Sequence, residues 1–503
     1  MTITMLPIIA RADLRPDATA IVQAERPTTY GELASRSRAI AAALVGAGGD
    51  LGGARVAILA SPGPDFVAGL WGTWLAGGIA VPLGLAATDA EVDRALEDSA
   101  ASCLVADRPF LPEAEAACRR RGHVRLVPAG VAAHAAAPGG LPEVSTGRPA
   151  LMLFTSGTTS RPKGVVSTHA CVQTWIESLV AAWRWTAADR IPLFLPLHHI
   201  HGLVNVLCCG LWSGATVDVL DRFDADVVND RVAADAYTLF MAVPTIYVKL
   251  IERIGGLPDA ERRRVTGGFG RLRLMVSGSA ALPAGVFAAW ESLTGQRLLE
   301  RYGMTEIGMA LGNPYDGPRR PGTVGRPLPG VEVRLVSESG GPALDGEPGE
   351  IQVRGPGVFR EYWGLPEATA ASFVDGWFRT GDVAVVDEGF YRILGRTSVD
   401  IIKSGGYKLS ALEIEAVILD HPGVAECAVV GLPDDTWGEA VAAAIVARPG
   451  ADFDLDDLRR FCRERLSPYK RPRRWLAVES LPRNHMGKVT KPAVTRLFPE
   501  RPA

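Results

Sequence analysis

The chain has 503 residues, of which 47% are hydrophobic and 22% are charged. These proportions are typical of a soluble globular protein, and the length predicts two or more domains because one core rarely organises so long a chain. The formal net charge of −3 favours neither a nucleic-acid partner nor an anionic membrane surface.

The seven cysteines show no C-x-x-C pair, and Cys208 and Cys209 are adjacent. An odd, irregularly spaced set argues against a disulfide framework and predicts a reducing, cytoplasmic compartment. No secretion signal is predicted at the N-terminus. Two apolar stretches, Phe66–Ala87 and Ile191–Ala215, reach the ~20 residues that cross a bilayer. Glycine and proline interrupt both, so we expect buried strands and helices and no membrane span.

The first part of the chain predicts alternating helices and strands. Residues 28–48 read as an amphipathic helix opened by Thr28 or Thr29, with Glu32 in its first turn and Gly46 at its end. The following elements are the strand Arg55–Ala60, the helix Asp65–Ala76, the strand Val81–Leu83, the helix Glu91–Asp98 and the strands Cys103–Ala106 and Val124–Val127. This alternation indicates an α/β fold with parallel sheets. Residues 128–145 are rich in Ala, Gly and Pro and predict an exposed connection.

The stretch Leu151–Gly164, L-M-L-F-T-S-G-T-T-S-R-P-K-G, joins an apolar run to a loop of small polar residues. The apolar run predicts a buried strand. Hydroxyl groups, the flexible backbone at Gly157 and the charge of Lys163 together suit a phosphate-binding loop. It is not a Walker loop, because Pro162 and Gly164 occupy the positions of its second glycine and its magnesium ligand. The alternative is a polar turn after a strand, which the run of hydroxyls ending in P-K-G disfavours.

The segment T-S-G-T-T-S-R-P-K-G resembles the nucleotide-binding signature of the adenylate-forming enzymes. This group contains acyl-CoA synthetases, firefly luciferase and peptide-synthetase adenylation domains. The family pattern usually has glycine where this chain has Ser160. The resemblance implies that Thr158 lies near a magnesium ion and that ATP is bound by Thr155, Ser156, Gly157, Thr158, Thr159 and Lys163.

A predicted helix, Thr168–Trp185, is followed by P-L-H-H-I-H-G at residues 196–202. Adjacent histidines on an extended segment would face opposite ways, and no Cys or carboxylate completes a metal site, so zinc is disfavoured. In the resembled family His199 matches a histidine that lines the acyl pocket, while His198 replaces the usual aromatic residue. His201-Gly202 resembles members that handle small dicarboxylates. The alternative for His201 is a core histidine with a satisfied ring.

Two predicted strands, Asp235–Val243 and Leu272–Val276, lead to the turn S-G-S-A-A-L-P at residues 277–283. Small side chains there would let a flat ring approach the backbone. The resemblance implies that adenine lies against Gly278, Ser279 and Ala280. Without it, the segment reads as a strand-to-helix turn with proline at the helix start.

The segment L-L-E-R-Y-G-M-T-E, residues 298–306, matches the family pattern Y-G-x-T-E. The resemblance implies that Tyr302 and Gly303 contact adenine and that Thr305 touches the α-phosphate. Glu306 would hold magnesium, which prefers oxygen ligands and usually binds through one or two carboxylates plus substrate phosphates.

Arg301 precedes this tyrosine, where synthetases for fatty or aromatic acids commonly have a small or neutral residue. A guanidinium group there can pair with a carboxylate in bidentate fashion. Malonyl-CoA synthetases resemble this chain in having E-R-Y-G-M-T-E together with the upstream H-x-H-G turn. The alternative is a structural arginine paired with Glu300 or another local acid.

The segments Thr323–Pro329 and Gly349–Gly355 read as a turn and a strand, and G-W-F-R-T-G-D follows at residues 376–382. Asp382 would accept hydrogen bonds from both ribose hydroxyls, which requires a group with two acceptor oxygens. A lone aspartate after glycine is otherwise usually a turn residue.

Residues 394–415 resemble the junction between the two family domains. Arg396 matches a ribose-contacting arginine, and the hinge is expected within Thr397–Asp400, with Ser398 and Asp400 as candidates. Gly405 and Gly406 would form the loop that enters the active site during thioester formation. The segment Glu413–Glu415 opens a predicted amphipathic helix.

Beyond residue 424 the sequence predicts a small α+β domain with strands Val424–Val430 and Val441–Val446 and the helix Leu455–Leu466. The segment P-R-N-H-M-G-K ends in Lys488, which matches the family lysine of the first half-reaction. A compact ammonium there can stabilise the negative charge that crowds the transition state.

Together the motifs imply a large α/β N-terminal domain (residues 1–396) and a small mobile C-terminal domain (397–503). The implied substrates are ATP with Mg²⁺, a carboxylate and coenzyme A, and the favoured acid is malonate or methylmalonate. The open alternatives are an aromatic acid, a fatty acid or another short diacid as substrate, a carrier-protein thiol as acceptor, and a non-catalytic nucleotide-binding relative. An amino-acid adenylation domain is less favoured, because P-L-H-H-I-H-G lacks the aspartate expected for the substrate amine.

Overall fold

The computed structural model describes residues 6–46, 48–130, 140–155, 162–396, 399–404, 407–434, 436–451, 453–483 and 489–499. Several residues with predicted roles lie outside these ranges, namely Ser156, Gly157, Thr158, Thr159, Ser398, Gly405, Gly406 and Lys488. Their assignments therefore stay predictions.

The first part of the chain alternates helices and strands, as the sequence predicts. Its helices are α1 (Pro7–Asp13), α2 (Tyr30–Val45), α3 (Pro64–Leu75), α4 (Asp89–Asp98) and α5 (Leu111–Arg121), with a 3₁₀ turn at Arg108–Phe110. Its strands are β1 (Thr19–Gln23), β2 (Arg26–Thr29), β3 (Arg55–Leu59), β4 (Ile79–Pro82), β5 (Ala101–Ala106) and β6 (Arg125–Pro128). Thr29 caps α2: its hydroxyl accepts from the Glu32 N–H, and the Glu32 carboxylate accepts from the Thr29 N–H. This reciprocal box satisfies N–H groups that a first helical turn leaves unpaired.

The central part contains the predicted nucleotide motifs. Its strands are β7 (Pro149–Thr155), β8 (Lys163–Thr168), β9 (Arg190–Leu193), β10 (Thr216–Val219), β11 (Leu239–Ala242), β12 (Leu274–Ser277), β13 (Leu299–Met304), β14 (Gly308–Gly312) and β15 (Arg326–Pro327). Its helices are α6 (His169–Trp183), α7 (Cys209–Ser213), α8 (Ala225–Ala233), α9 (Pro244–Gly255), α10 (Asp259–Arg271) and α11 (Ala284–Thr294), and His201–Cys208 is a π-helix.

The remaining elements are mostly strands. Before the predicted hinge they are β16 (Glu332–Val336), β17 (Gly349–Arg354), β18 (Glu361–Tyr362), α12 (Pro366–Ala371), β19 (Phe373–Val374), β20 (Trp377–Asp387) and β21 (Phe390–Arg396). After it they are β22 (Ile401–Ser404), β23 (Tyr407–Ser410), α13 (Ala411–Leu419), β24 (Val424–Asp434), β25 (Gly438–Ala447), α14 (Leu455–Arg465), a 3₁₀ turn at Pro468–Lys470, β26 (Arg474–Ala477) and α15 (Lys491–Thr495).

The largest sheet has seven strands in the order β18-β8-β7-β4-β3-β5-β6. Strands β7, β4, β3, β5 and β6 run parallel, as predicted. Strand β8 is antiparallel to β7, with Thr155 opposite Lys163. The predicted phosphate loop therefore connects two paired strands, and this pairing places the residues at its two ends beside each other.

A second sheet, in the order β11-β12-β13-β14-β15, carries the other nucleotide motifs. Strands β11, β12 and β13 are parallel, and β14 returns antiparallel to β13. The segment after β12 and the turn after β13 consequently lie at the same edge of this sheet.

Hydrophobic clusters separate along the chain near the predicted hinge. The cluster that includes residues of β20 and β21 reaches Tyr391, with Ile393 packed on it, whereas the two clusters of the C-terminal part begin at Ile402 and Ala428. Within the described ranges, no helix is long and apolar enough to cross a membrane. All seven cysteines are free, and five are buried.

Candidate active site

Strand β13 carries Arg301 and Tyr302 side by side, between β12 and β14. Because successive side chains of a strand point to opposite faces, the two residues contact different groups of neighbours. Arg301 is buried, with 4% of its surface exposed, and lies towards the segment after β12. Tyr302 lies towards β20.

The first group of neighbours centres on Asp382. Tyr302 Oη donates to Asp382 Oδ2 at 2.6 Å, and Arg396 Nε donates to Asp382 Oδ1 at 2.9 Å. Asp382 and Arg396 are direct partners on β20 and β21, so the sheet register sets their separation. Asp382 therefore lies within a strand, and its interpretation as a turn residue is wrong. Each of its oxygens keeps a second lone pair for another donor.

Glu306 lies in the turn between β13 and β14 and is 5% exposed. Its Oε1 accepts a hydrogen bond from Tyr362 Oη at 2.9 Å, while its Oε2 has no partner among the described residues. Burial raises the pKa of the Glu306 carboxyl group, although its hydrogen bonds and the charge of Arg396 oppose this. Thr305 is half-buried in the same turn.

Tyr362 was not anticipated from the sequence. Lys163 Nζ lies 4.7 Å from the centre of its ring, a cation–π contact, while its hydroxyl reaches Glu306. Tyr362 thus joins the end of the predicted phosphate loop to the predicted magnesium ligand. It belongs to a two-residue strand paired with β8, and such a short element leaves no recognisable sequence pattern.

Arg301, His201 and Ser279 form the second group. Arg301 Nη2 donates to Ser279 Oγ at 3.3 Å, and His201 Nδ1 lies 3.0 Å from the same oxygen. His201 begins the π-helix, a conformation that is frequent at functional sites. The structure places the Ser279 hydroxyl with the predicted acyl residues, and the expected contact of this segment with adenine stays a prediction. Ala280, its neighbour, is exposed.

Gly278 explains how Arg301 fits beneath this segment. A Cβ at Gly278 would lie 2.4 Å from Arg301 Cζ, closer than real contacts allow. The small residue predicted to admit a flat ring therefore admits a flat guanidinium group. Gly303 is similarly constrained, because a Cβ there would lie 2.0 Å from the Gly308 carbonyl oxygen.

Several buried polar atoms in this group have no hydrogen-bond partner in the part of the chain that the structure describes. They are Arg301 Nε, His201 Nε2 and Glu300 Oε2. Unpaired buried polar atoms are costly, so a cluster of them indicates a binding site. Among the described residues, only Nδ1 of the His201 ring has a partner, which disfavours a core histidine with a satisfied ring.

Among the described residues Glu300 forms no hydrogen bond or ion pair with Arg301, although the two charges interact. Its Oε1 accepts from the Leu282 N–H at 2.9 Å, and burial raises its pKa to about 8. Burial lowers the pKa of Arg301 to about 10. Burial thus favours the neutral form of Glu300, whereas the pKa of Arg301 stays well above neutrality and keeps its guanidinium group charged. Burial, followed by the charges of Arg301 and His199, lowers the pKa of His201 well below its usual value and keeps it neutral.

His198 and His199 lie in a turn before the π-helix, so the expected extended segment is wrong. Their rings pack 4.1 Å apart. Within the described residues, no group of three or more His, Cys, Asp or Glu side chains is arranged to hold a metal ion. The half-buried His199 remains close enough to His201 to affect its charge.

Comparisons with known proteins place the chain in a family. Residues 9–363 match the family described as AMP-binding enzyme, and residues 413–488 match its C-terminal domain. The mitochondrial malonate–CoA ligase ACSF3 of Mus musculus is 43% identical over 98% of this chain and 91% of its own length. The chain belongs to the family of AMP-binding enzymes.

Two solved structures illustrate the similarity. ATP-bound MatB from Rhodopseudomonas palustris is 35% identical, covers 98% of this chain and 99% of its own, and gives a TM-score of 0.88. A malonyl-CoA ligase in a ternary product complex with methylmalonyl-CoA and AMP is 41% identical, covers 95% of this chain and 100% of its own, and gives 0.69. Of these two proteins, ATP-bound MatB has the structure more similar to the present one, whereas the malonyl-CoA ligase of the product complex has the more similar sequence.

Proposed function

We propose that this chain is an ATP-dependent ligase that joins malonate, and also methylmalonate, to coenzyme A with release of AMP and pyrophosphate. The observation that carries this proposal is the buried, charged Arg301, whose Nε lacks a partner among the described residues. The names of the malonate–CoA ligases that the chain resembles support the same substrate.

The distal carboxylate of malonate binds Arg301 and His201. Ser279 Oγ accepts from Arg301 and is placed to donate to His201 Nδ1. A neutral His201 with that partner carries its proton on Nε2, the atom left free to donate to the substrate. Protonated Glu300 adds no negative charge, so Arg301 is available to the diacid.

The nucleotide binds on the other side of β13. Asp382 and Arg396 hold the ribose hydroxyls, Tyr302 and Gly303 contact adenine with the segment after β12, and Thr305 contacts the α-phosphate. Hydroxyl and N–H groups of the loop between β7 and β8, together with Lys163, bind the phosphates. The 2.9 Å bond between Arg396 and Asp382 supports this assignment by orienting both groups in advance.

Glu306 is the proposed magnesium ligand, together with Thr158 of the phosphate loop. A buried carboxylate oxygen without a protein partner fits an ion that binds through one carboxylate and substrate phosphates. When bound, magnesium neutralises phosphate charge. Tyr362 orients the Glu306 carboxylate for this purpose.

The reaction proceeds in two steps. A carboxylate oxygen of malonate attacks the α-phosphorus of ATP, a C–O–P linkage forms, and the bond to pyrophosphate breaks. Lys488 stabilises the charge of this step. The sulfur of coenzyme A then attacks the acyl carbon, its proton is lost, and the bond to AMP breaks. Gly405 and Gly406 line the path of the thiol.

These steps use two orientations of residues 397–503 relative to residues 1–396, with the hinge at Ser398 or Asp400. The separation of hydrophobic clusters between Ile393 and Ile402 supports this boundary. The TM-scores of 0.88 and 0.69 support an adenylate-forming orientation for the present structure.

The test is pyrophosphate release with malonate, methylmalonate, succinate, acetate, a fatty acid and a cinnamate, each with and without coenzyme A. We expect the highest kcat/KM for malonate and CoA-dependent thioester formation. Activity with a monoacid alone would refute the diacid pocket, and activity requiring a carrier-protein thiol would refute coenzyme A as acceptor. Absence of AMP formation with every acid would indicate a non-catalytic relative.

The variant Arg301→Ala tests whether Arg301 binds the distal carboxylate of malonate. We expect KM for malonate to rise about ten- to a hundredfold, because hydrogen bonds to charged groups contribute about 1.5–3 kcal/mol, while the KM for ATP changes little. Arg301→Lys keeps the charge and should recover part of the loss. Unaltered malonate turnover in Arg301→Ala would contradict the pocket assignment.

A further inference from the structure

Lys491 lies between two carboxylates in the C-terminal part of the chain. Its Nζ is 2.7 Å from Asp400 Oδ1 and 2.7 Å from Glu415 Oε1. The three side chains are only 12%, 15% and 14% exposed for Lys491, Asp400 and Glu415. Removing one partner of such a buried group leaves an uncompensated charge, so the cluster holds α13, α15 and the turn after β21 together.

Asp400 connects this cluster to Arg396. Its Oδ2 accepts from the Arg396 backbone N–H at 3.0 Å, and its own N–H donates to the Arg396 carbonyl at 2.8 Å. A Cβ at Gly395 would lie 2.3 Å from Asp400 Cβ, so the two segments pack closely. The two carboxylate oxygens of Asp400 thus bond to opposite sides of the proposed hinge.

Lys491 is also tied to the segment that carries Lys488. Lys491 lies three positions after Lys488, so their Cα atoms are at most about 11 Å apart. The flanks of this segment are paired, since the Thr490 N–H donates to the Pro482 carbonyl at 2.9 Å and Arg483 forms a β-bridge with Val489. Movement of Lys491 therefore moves one anchored end of this segment.

We propose that Lys491 is a positioning residue for the first half-reaction, because it holds the hinge residue Asp400 in the orientation that also bonds Arg396. This inference rests on the proposed function and adds a residue that links the hinge to the segment of Lys488. Both Asp400 contacts are complete in the present orientation, and the proposal requires that rotation at the hinge break at least one of them.

Opposite charges stabilise the contact of Lys491 with the carboxylates of Glu415 and Asp400. Burial lowers the pKa of Lys491, but the adjacent carboxylates of Glu415 and Asp400 outweigh it and hold the pKa above its usual value. Lys491 therefore remains an ammonium group throughout the neutral range. Glu415 is fixed separately, because its Oε1 also accepts from the Val429 N–H at 2.7 Å.

The experiment compares Lys491→Met, Asp400→Asn and the control Glu415→Gln, which alters the same buried cluster without touching the hinge. Adenylation is followed by malonate-dependent ATP–pyrophosphate exchange, and thioester formation is followed from pre-made malonyl-adenylate. We expect Lys491→Met and Asp400→Asn to slow adenylation about tenfold and to affect thioester formation much less. Lys491→Arg should restore part of the rate.

The double variant decides whether the two residues act together. Lys491→Met/Asp400→Asn should be about as slow in adenylation as either single variant, because both remove the same contact. Glu415→Gln should lower the thermal midpoint but keep the ratio of the two rates. Equal losses in both half-reactions, or additive effects in the double variant, would overturn the proposal and indicate a structural role.

Asp400→Asn retains the Lys491–Glu415 pair, so it decides the question if Lys491→Met does not fold. A wild-type protein without malonate-dependent exchange would refute the proposed function rather than this inference. In that case small-angle X-ray scattering with ATP and Mg²⁺ alone tests the hinge. Scattering curves that differ between the wild type and Asp400→Asn would support the inference, and identical curves would overturn it.

Discussion

Gly278 determines how closely Arg301 approaches the segment after β12. In Gly278→Ala the new Cβ would lie 2.4 Å from Arg301 Cζ, so the guanidinium group must move away from Ser279. We expect KM for malonate to rise about tenfold, a cost near 1.4 kcal/mol, with little change in the KM for ATP. Steady-state kinetics with each substrate varied measure both.

The matched control is Gly147→Ala, because no atom lies within 4 Å of a Cβ at that position. This variant should keep wild-type constants for both substrates. An unchanged KM for malonate in Gly278→Ala would mean that Arg301 does not contact the diacid from its present position.

Glu300 gives the pocket a pH dependence. Its pKa is raised to about 8 by burial, so below that pH it is neutral and Arg301 alone sets the charge. As the pH rises through about 8, ionised Glu300 opposes the Arg301 charge, and kcat/KM for malonate should fall. Glu300→Gln should shift this fall to higher pH, as pH profiles of both proteins would measure.

The raised pKa of Glu300 also makes the free energy of unfolding depend on pH. Since the folded-state pKa of about 8 exceeds the ordinary 4.5, the contribution of Glu300 is fully present below 4.5 and is lost as the pH rises through 8. Glu300→Gln should therefore flatten the decline in thermal midpoint over this range. Identical profiles for the variant and the wild type would show that Glu300 does not titrate there.

At the scale of elements, the short strand β18 places Tyr362 beside Glu306. The hydrogen bond from Tyr362 opposes the burial that raises the pKa of Glu306. In Tyr362→Phe that pKa should rise further, so the acidic limb of the adenylation rate should move to higher pH. We also expect a higher Mg²⁺ requirement, measured by pyrophosphate exchange at varied Mg²⁺ and pH.

Tyr237→Phe is the control for this change. Its hydroxyl donates to the buried Asp218 at 2.9 Å, a bond of the same type away from the site. It should lower stability without altering the pH limb or the Mg²⁺ requirement. Equal kinetic effects of both variants would show that the Tyr362 bond acts only on folding.

Elements with local signals were predicted well. The capping box and the terminal glycine of α2 lie within its sequence or directly beside it, and polar and apolar residues alternate in β17 between Gly349 and Gly355. The antiparallel return of β8 and the π-helix at His201 were not predicted. Strand direction depends on which neighbour a segment pairs with, and a π-helix depends on packing around it, so neither is a property of the local sequence.

At the scale of the molecule, the two half-reactions place different demands on the C-terminal part. Lys488→Ala should abolish adenylation but retain thioester formation from pre-made malonyl-adenylate, because its proposed charge acts on the phosphate in the first step. Rapid-quench assays of each step measure this. Loss of both steps alike would argue against the assignment.

The sequence by itself determined the family motifs, the alternation of helices and strands in the first part of the chain and the candidate residues Arg301, Asp382 and Arg396. It did so because residue type and spacing record directly which groups can contact a nucleotide or a carboxylate. The tertiary structure decided what those groups contact: Ser279 with Arg301, Tyr362 with Glu306, and Lys491 with Asp400. These contacts join segments far apart in the chain, and their distances and burial, which set each charge, exist only once the chain has folded.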